Sequence, residues 1–586
     1  MLSENQFTVL TTLKKAPGLS CADLSRRTGL AEDEVGALVS ALQGAGQIDA
    51  QGAVTKEGDA ALAPYKVDNA VIMAAGLGSR FVPLSLEKPK GLYKVKGEVL
   101  VERQIRHLQE AGITDITLVV GYMKEQFFYL QDKFGVKIVV NPDYFRFNNT
   151  STLMLVKDRL KNTYICCSDN YCTENPFEPY VYKAYYAAMY AEGETNEYCL
   201  DYADDGLIRK VTVGGRDTWF MAAHVFFSRE FSAKFVPLLE SEYAKEPTKY
   251  ELWEDVYARH ADELDMYIKK YGQGILHEFD SLDDLRLFDP YYINNADSTI
   301  LKNICQYFSC RQEDISDIKP LKKGLTNTSL RFTCKGKKYI YRHPGKGTDE
   351  YINRENEYLS MQTAEKLGLD KTFLYMDREE GWKISRYIED TKELDYHNEK
   401  EVEQALALIR KLHGAQVRVD YKFDIWKGCL DFIDKIQKRG RADFEDFSLL
   451  YERMQEVYNF AEADECPKVL CHCDTYSPNF LVHGNDMELI DWEYSGSDDP
   501  CADLGTFICC SDYNYEEAMQ VVAKYYGHDP SLQEQRHAIA YIAIAAYYWF
   551  VWAIYQESLG KSVDNYLLIW YQAAKMYAEK ALELYR

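Results

Sequence analysis

The segment Leu470–Tyr494 reads LCHCDTYSPNFLVHGNDMELIDWEY, and its polar residues stand at fixed intervals between apolar runs. Asp474 is followed five residues later by Asn479, and Asp491 comes twelve residues after Asn479. The flanking runs KVLCH and NFLV…ELIDW have the composition of short β-strands. Chance placement of three surface polar residues does not explain strand-like runs on both sides of them. This segment is therefore the most informative one for predicting the fold of the second half of the chain.

The spacing is that of a kinase catalytic loop followed by its metal-binding aspartate. In that arrangement Asp474 orients the substrate hydroxyl and accepts its proton, while Asn479 and Asp491 hold Mg²⁺ on the β- and γ-phosphates of ATP. Upstream, hairpin-like strands occupy LKKGLTNTSLRFTCKGKKYIYRHP, and the chain becomes predominantly helical after Glu393. A sheet-rich lobe before a larger helical lobe predicts a bilobal kinase-like fold.

About residues 295–586 resemble the bacterial choline kinases and the related aminoglycoside kinases, because the loop, IDWEY and DLGTF recur in order. The resemblance implies a nucleotide-covering turn with Asn327 and Thr328 at its tip. It also implies that Arg342 is the cation that contacts the phosphates. The helix partner of Arg342 would be Glu357 or Glu355, and the sequence alone leaves this choice open.

Near the carboxyl end, YYWFVWAIYQE places Trp549 and Trp552 three residues apart on one helical face. Aromatic residues at helical spacing usually belong to a core. In the choline kinases, however, a similar aromatic helix lines the trimethylammonium pocket. The resemblance therefore predicts that Trp549 and Trp552 bind the choline headgroup, with Glu493 as a nearby acid.

In the middle of the chain, Val71–Leu92 reads VIMAAGLGSRFVPLSLEKPKGL, in which a short apolar strand leads into a glycine-containing turn. The turn matches neither the Walker loop nor the dinucleotide fingerprint. A turn after the first strand of a sheet can nevertheless surround phosphates with backbone amides. Lys90 lies ten residues beyond Arg80 and could reach the same phosphates. Asp169 ends a later strand, and Glu278 and Asp280 supply a second carboxylate pair, so two carboxylates could converge on one Mg²⁺.

Residues 68–290 resemble the nucleoside-triphosphate transferases, and most closely the bacterial CTP:phosphocholine cytidylyltransferases. The resemblance is carried by MAAGLGSRF…EKPKGL, VERQIRHLQEAGI, VVGYMKEQFFYL, NNTST and SDNY. It implies that Arg80 and Lys90 hold the triphosphate and that Asp169 and Asp280 hold Mg²⁺. The turn would contact the nucleotide at Ala75, Gly76 and Gly78. Many relatives carry Asp-x-Asp where this chain has Cys167-Ser168-Asp169, so Asp169 must act without the first acid.

The predicted acceptor site of this middle segment rests on aromatic and acidic residues. A quaternary ammonium favours aromatic faces and carboxylates, at ~0.5–2 kcal/mol per aromatic contact. KYELWEDVY places Trp253 beside Glu254 and Asp255, and RDTWFMAAH adds Trp219. We predict that these four residues bind the headgroup. The alternatives are that both tryptophans are core residues, and that the acceptor is a sugar 1-phosphate.

The first 66 residues have the helical periodicity and the Ser20 and Gly29 boundaries of a winged helix. Its second helix begins Glu32-Asp33-Glu34 and contains no Lys or Arg through Gly46. Because affinity for DNA comes mainly from cations that meet phosphates, a docking or regulatory role is favoured over DNA recognition.

The 586 residues carry a formal net charge of −24, which disfavours binding to nucleic acid and anionic lipid. No run of 18 apolar residues appears, and Ala538–Tyr555 is expected to be a buried helix rather than a membrane span. The amino terminus lacks the features of a secretion signal, and the fifteen cysteines fit a reduced intracellular protein. We therefore expect a cytoplasmic protein without membrane insertion, for which oligomerisation is possible.

The sequence thus predicts a multidomain α/β and α+β protein: a winged helix (1–66), a doubly wound parallel nucleotidyltransferase sheet (67–292) and a kinase-like fold (293–586). The expected activities are phosphorylation of choline by ATP and transfer of CMP from CTP to phosphocholine, both with Mg²⁺. Three alternatives stay open: the same steps on ethanolamine, a sugar-nucleotide transferase fused to a small-molecule kinase, and a choline-responsive regulator.

Overall fold

The computed structural model describes residues 1–321, 327–345, 348, 352–439, 444–559, 563 and 565–586. The chain divides into two compact units, Met1–Asp314 and Ile315–Arg586. The helix Thr299–Phe308, which follows the predicted boundary near residue 292, belongs to the first unit. The predicted domain boundaries near 66 and 292 stay predictions.

The first unit begins with four helices, α1 (Glu4–Lys15), α2 (Cys21–Thr28), α3 (Glu32–Gly44) and α4 (Lys56–Leu62). As predicted, the Ser20 side chain caps α2, and Gly29 ends it in the left-handed conformation (φ 74°). An isolated antiparallel bridge joins Ile48 to Val54 between α3 and α4. Apolar side chains on the inner faces of the helices form a separate small core. The helices are as expected, and the winged-helix assignment stays a prediction.

A seven-stranded sheet forms the centre of the first unit. Its strands are β1 (Asn69–Ala74), β4 (Ile116–Val120), β5 (Lys137–Val140), β6 (Thr163–Cys167), β8 (Tyr185–Tyr202), β9 (Ile208–Phe227) and β10 (Tyr267–Lys270), in the order β10-β8-β9-β6-β1-β4-β5. Strands β6, β1, β4 and β5 are mutually parallel, as predicted. The prediction of a wholly parallel sheet was wrong, because β9 runs antiparallel to both β6 and β8. The turn Ala203-Asp204-Asp205-Gly206 joins β8 directly to β9, and only antiparallel neighbours can be joined by so short a turn.

Both faces of the parallel strands are covered, as in a doubly wound sheet. Along β1, Val71 and Met73 point into one core and Ala70, Ile72 and Ala74 into the other. Successive side chains of a strand point to opposite faces, and here both faces are covered by a core. Every residue of β1 is therefore buried, and the strand is almost entirely apolar in sequence.

The remaining elements of the first unit surround this sheet. They are β2 (Lys94–Val95), β3 (Glu98–Val99), α5 (Leu100–Glu110), α6 (Tyr129–Phe134), α7 (Asn149–Met154), β7 (Asn170–Cys172), α8 (Arg229–Tyr243), α9 (Trp253–Arg259), β11 (Leu276–Glu278), α10 (Leu282–Phe288) and α11 (Thr299–Phe308). Strand β11 pairs antiparallel with β7, with Glu278 opposite Asn170. This pairing brings the late carboxylates of the sequence beside Asp169.

The second unit opens with a five-stranded antiparallel sheet in the order β12-β13-β14-β16-β15. The strands are β12 (Ile315–Pro320), β13 (Thr328–Cys334), β14 (Lys337–His343), β15 (Phe373–Met376) and β16 (Lys383–Arg386), and the helix α12 (Arg354–Leu367) lies between β14 and β15 in the chain. Residues 322–326, most of the predicted nucleotide-covering turn, lie outside the described residues.

The rest of the second unit is predominantly helical, as predicted. It comprises β17 (Lys392–Glu393), α13 (Glu399–Gly414), α14 (Ile425–Arg439), α15 (Phe447–Glu462), β18 (Val469–Cys471), β19 (Phe480–His483), β20 (Asp486–Leu489), β21 (Gly496–Asp498), α16 (Pro500–Cys509), α17 (Tyr515–Tyr526), α18 (Leu532–Ser558) and α19 (Tyr566–Tyr585). By length and composition α18 could cross a membrane, but its most apolar 18-residue window is wholly buried inside the protein. The prediction of a buried helix at Ala538–Tyr555 is therefore confirmed.

Candidate active sites

The turn after β1 forms one wall of a cavity of about 460 Å³. The cavity is lined, among others, by Ala75, Gly76, Gly78, Lys90 and Asp169. Gly78 adopts a left-handed φ of +59°, and a Cβ there would lie 3.3 Å from the Cβ of Ser85. The structure thus brings the glycine turn, the predicted cation and the first predicted carboxylate to one cavity.

Two cations and two carboxylates meet at this site. Lys90 Nζ lies 2.8 Å from Asp169 Oδ2 and 3.8 Å from Asp280 Oδ1, and Arg80 donates a 3.1 Å hydrogen bond to Asp280. Burial opposes the charge on Lys90, but Asp169 outweighs it, so the pKa of Lys90 is raised. Arg80 is largely exposed, and its guanidinium is therefore accessible to a ligand.

A close backbone approach sets the Lys90–Asp169 distance. A Cβ on Gly91 would lie 2.8 Å from the Cβ of Ser168, so only glycine allows this contact without a shift of the backbone. Ser168 and Gly91 are the chain neighbours of Asp169 and Lys90, respectively. The motif KPKG therefore requires Gly91 for packing as well as Lys90 for charge.

The donor set at this site fits Mg²⁺. Asp169, Glu278 and Asp280 offer carboxylate oxygens, which a hard divalent cation prefers, and Lys90 and Arg80 now neutralise two of them. Asp169 and Asp280 would hold the ion. Glu278 is a further carboxylate at this site that the predicted metal set omitted.

Glu254 of the predicted headgroup set lies just behind the cavity. It is buried, and it accepts hydrogen bonds from Asn149 (3.2 Å), which lines the cavity, and from the Tyr186 hydroxyl (3.1 Å). Burial raises the pKa of Glu254 to about 7. Asp255 accepts a 2.7 Å hydrogen bond from Tyr198. Asn149, Tyr186 and Tyr198 were not predicted, and only Asn149 belonged to a quoted motif.

The two predicted tryptophans are placed differently. Trp253 is buried in the core, where it stacks on Tyr186 with ring centroids 5.9 Å apart. Trp219 packs against Tyr190, and Lys270 Nζ lies 5.3 Å from the centre of its ring. Among the described residues, neither tryptophan lines the cavity. Trp253 packs behind Tyr186, and the headgroup role of both tryptophans stays a prediction.

In the second unit, the loop after β18 carries the predicted catalytic residues. Asn479 donates hydrogen bonds from Nδ2 to the Asp474 carbonyl oxygen (2.7 Å) and carboxylate (2.9 Å). Desolvation and the nearby Asp491 raise the pKa of Asp474 well above its ordinary value. Asp491 itself has a left-handed φ of +67°, a strained conformation for a residue with a side chain. The structure brings Asp474, Asn479 and Asp491 together, and their catalytic and metal-binding roles stay predictions.

A network of charged side chains positions Asp491. Arg342 Nη2 lies 2.6 Å from Glu357 Oε1, and Arg342 Nη1 lies 3.0 Å from Asp491 Oδ1. Glu355 pairs instead with Arg378, so Glu357 is the helix partner of Arg342. Lys383 on β16, which was not predicted, lies 3.0 Å from Asp491. Burial opposes ionisation of Asp491, but Lys383 and Arg342 outweigh it and hold the pKa below its usual range.

The catalytic loop is fixed from behind by Asp503 on α16. Its carboxylate accepts hydrogen bonds from the backbone amides of His472 (2.9 Å) and Cys473 (2.6 Å) and from the His413 ring (2.9 Å). Asp503 is completely buried. Burial opposes the ionisation of Asp503, but the hydrogen bonds and positive charge of His413 and His472 together outweigh it and lower the pKa of Asp503. Asp503 is therefore a positioning residue for Asp474.

An aromatic box adjoins the acidic groups. Trp549, Trp552 and Trp570 meet with ring centroids 5.6–6.3 Å apart, and Tyr494 contacts Trp549 at 5.6 Å. The box lines a cavity of about 100 Å³ together with Asn327, Arg342, Asp474, Asp491 and Glu493. Trp570, on α19, was missed by the sequence prediction. Glu493 accepts a 2.8 Å hydrogen bond from Asn327, and burial raises the pKa of Glu493 to about 7.

The oxygen donors of the second unit also fit Mg²⁺. Asn479 and Asp491 would hold the ion, and the ligand atoms of Glu357, Asp491 and Glu493 lie within 4.8 Å of one another. Thr328, predicted at the tip of the nucleotide-covering turn, lies on β13 opposite His343. Thr328 is not among the described residues that line the cavity.

Two family models match the chain. Residues 70–164 match the MobA-like NTP transferase domain, and residues 318–549 match the choline/ethanolamine kinase family. These matches coincide with the glycine turn of the first unit and with the catalytic loop of the second.

Three individual proteins are similar to parts of the chain. The chain is 36% identical over 225 residues to the choline-phosphate cytidylyltransferase of Streptococcus pneumoniae, which covers 38% of this chain and 98% of the relative. It is 34% identical over 229 residues to the 2-aminoethylphosphonate cytidylyltransferase of Lancefieldella rimae, covering 38% of this chain and 93% of that protein. The crystal structure of the choline kinase LicA from Streptococcus pneumoniae matches with 22% identity and a TM-score of 0.42, covering 48% of this chain and all of that one.

Proposed function

The chain belongs to the cytidylyltransferase family and carries a choline/ethanolamine kinase domain in the same polypeptide, and we propose that it makes CDP-choline from choline in two steps. In the first step, the choline hydroxyl oxygen attacks the γ-phosphorus of ATP and ADP leaves. In the second, a phosphate oxygen of phosphocholine attacks the α-phosphorus of CTP and pyrophosphate leaves. The product of the second unit is then the substrate of the first.

The aromatic box beside the catalytic loop carries this proposal. Three tryptophans and Tyr494 line the cavity with aromatic rings, and Glu493 and Asp474 supply negative charge at the same cavity. A trimethylammonium group gains ~0.5–2 kcal/mol from each such face and donates no hydrogen bond. A primary ammonium would instead need three acceptors. The box therefore favours choline over ethanolamine.

In the kinase step, each charged side chain has a distinct task. Asp474 holds the substrate hydroxyl and accepts its proton, and Asn479 keeps the Asp474 carboxylate in place. Arg342 and Lys383 offer positive charge to the phosphates of ATP at the position where they now hold Asp491. Bound Mg²⁺ would neutralise charge on the β- and γ-phosphates.

In the transferase step, the turn Ala75–Gly78 cradles the phosphates of CTP, and Lys90 and Arg80 stabilise negative charge that develops on the α-phosphate and pyrophosphate. Asp169 and Asp280 would hold Mg²⁺. The headgroup ammonium would face Glu254, which is held by Asn149 and Tyr186.

The fusion itself bears on the choice of acceptor. The transferase half is nearly as similar to a 2-aminoethylphosphonate enzyme as to a choline-phosphate enzyme. A kinase converts an alcohol into a phosphate ester, in which phosphorus is bonded to oxygen, and cannot make the carbon–phosphorus bond of a phosphonate. A kinase in the same chain therefore favours a phosphate ester as the acceptor.

The test is product analysis of the full chain with Mg²⁺, ATP and CTP, and with choline or ethanolamine in parallel. Wild-type protein should convert choline into CDP-choline. Asp169→Asn should stop at phosphocholine, and Asp474→Asn should form CDP-choline only when phosphocholine is supplied. Preferential formation of CDP-ethanolamine would overturn the choice of headgroup, and no turnover of either amine would overturn the two-step scheme.

A further inference from the structure

A cluster of three different metal-binding side chains lies in the second unit, outside both active-site cavities as far as the described residues extend. Cys466 belongs to the loop between α15 and β18, Asp499 precedes α16, and His537 lies on α18. A thiol sulfur, a carboxylate oxygen and an imidazole nitrogen, one from each residue, lie within 4.8 Å of one another. The proposed reactions use none of these three side chains.

The distances suit a small tetrahedral ion. His537 Nε2 and Asp499 Oδ2 are 3.0 Å apart. Two ligand atoms at ~2.0 Å from one tetrahedral zinc ion are separated by ~3.3 Å, so this pair needs almost no movement. The Cys466 sulfur must move closer, and its partly exposed position in a loop leaves it free to do so.

The second nitrogen of His537 is held as in protein zinc sites. Its Nδ1 faces Asp464 Oδ2 at 3.2 Å, and Asp464 also pairs with Arg536 and accepts a 2.6 Å hydrogen bond from Tyr585. A metal-binding histidine usually gives its other N–H to a carboxylate, which fixes the ring and its tautomer. Asp464 therefore orients His537 with Nε2 toward Asp499 and Cys466.

The cluster is also accessible. A cavity of about 280 Å³ is lined by Cys466, Asp499, Cys501 and His537 together with neighbouring side chains. This volume is enough for an ion to enter and for a water molecule to serve as the fourth ligand.

We propose that Cys466, Asp499 and His537 bind one Zn²⁺ ion. A thiolate and a carboxylate carry two negative charges, which a divalent ion balances, whereas the charge of Asp464 is already met by Arg536. The mixed sulfur, nitrogen and oxygen ligands favour Zn²⁺ over Mg²⁺. On binding, the ion replaces the proton shared by His537 and Asp499 and the thiol proton, and both protons go to solvent.

The ion would act on the catalytic loop through α16. Asp499 caps this helix by accepting a 2.8 Å hydrogen bond from the Cys501 amide, and Asp503, one turn further on, holds the amides of the loop that carries Asp474. The ion would tie the Cys466 loop, the start of α16 and α18 together. Zn²⁺ is therefore expected to stabilise the second unit rather than to take part in phosphoryl transfer.

The test uses the full untagged chain, freed of metal and titrated with Co²⁺, whose thiolate charge-transfer absorption reports a cysteine ligand. One Co²⁺ per chain with this absorption is expected, displaced by Zn²⁺. Cys466→Ser should abolish the absorption, and Asp464→Asn should weaken binding roughly 10- to 100-fold. The control is the double variant Cys305→Ser/Cys310→Ser. It removes two thiols of the first unit that lie next to each other, and it should leave the absorption unchanged.

A second measurement does not depend on any variant. Zn²⁺ at one equivalent should protect Cys466 from alkylation in the wild-type chain, as read by peptide mass spectrometry, and leave Cys21 unprotected. Charge-transfer absorption that persists in Cys466→Ser or disappears with Cys305 and Cys310, or alkylation of Cys466 at the same rate with and without Zn²⁺, would overturn the proposal. Neither measurement depends on turnover, so failure of the two-step scheme would be distinguishable from failure of the zinc site.

Discussion

Glu254→Gln should remove most of the pH dependence of phosphocholine binding to the first unit. Glu254 is buried, and burial raises its pKa from 4.5 to about 7. In the free protein the carboxyl is therefore largely protonated below pH 7 and ionised above it. The headgroup ammonium carries a permanent positive charge and should bind the ionised form. Affinity should consequently rise with pH and level off above about 7.

The size of the effect follows from the charge pair. At ~5 Å and an effective dielectric constant of ~20, the attraction between the ammonium and the carboxylate is about 3 kcal/mol. One pKa unit corresponds to about 1.4 kcal/mol, so the bound headgroup should lower the pKa of Glu254 by about two units. Affinity should then fall about tenfold per pH unit below 7, and about 100-fold in total, before it levels off near pH 5.

Isothermal titration calorimetry from pH 5 to 8 would measure this slope. The phosphate of phosphocholine also titrates in this range, but it does so equally in wild type and in Glu254→Gln, so the difference between the two curves isolates Glu254. Asp255→Asn is the matched control, because it removes a neighbouring carboxylate that Tyr198 already holds. It should lower affinity evenly at every pH. Parallel curves for wild type and Glu254→Gln would refute the placement of the headgroup at Glu254.

Three further predictions concern the second unit. Trp570→Leu should raise the KM for choline about 2- to 30-fold, the equivalent of ~0.5–2 kcal/mol, and should change the KM for ethanolamine less; equal effects would speak against the aromatic box. Arg342→Lys keeps a positive charge but loses the simultaneous contact of the guanidinium with Glu357 and Asp491. The kcat of choline phosphorylation should therefore fall at least tenfold. Cytidylyl transfer from supplied phosphocholine should be unchanged. Asp503→Asn should lower kcat with little effect on the KM for ATP, because it loosens the loop behind Asp474 without touching the nucleotide, and a matching rise in KM would contradict this.

The residues that were predicted from motifs converge because the motifs end strands that the fold places side by side. The turn after β1 and Asp169 after β6 follow adjacent parallel strands, so their carboxyl ends must meet at one edge. Asp280 could be joined to them only through the pairing of β11 with β7, a contact between segments about a hundred residues apart. Local sequence carries no signal for that pairing. The grouping of Asp280 with Asp169 was predicted from the family resemblance and not from the spacing of the residues.

The residues that were missed have no motif of their own. Lys383 lies in the strand β16 and reaches Asp491 only because β16 pairs with β14, which carries Arg342. Trp570 joins the aromatic box from α19, a different helix from that of Trp549 and Trp552. Conversely, Trp253 followed the expected composition of a headgroup site and lies in the core, because aromatic residues beside acids also serve as packing groups. Composition alone does not separate these two uses.

The choice between Glu355 and Glu357 depends on which face of α12 is buried. Residues two positions apart on a helix point to nearly opposite sides, so only one of them can face β14. Apart from Arg354 at its start, the buried residues of α12 are Glu357, Ser360, Met361 and Ala364, which is the i, i+3, i+4, i+7 pattern of a single face. Glu357 is in phase with the apolar Met361 and Ala364, whereas Glu355 is not. Tyr358 and Leu359 lie in phase with Glu355 in the same way, so the sequence leaves the choice open, and the burial of Glu357 together with the exposure of Leu359 decides it.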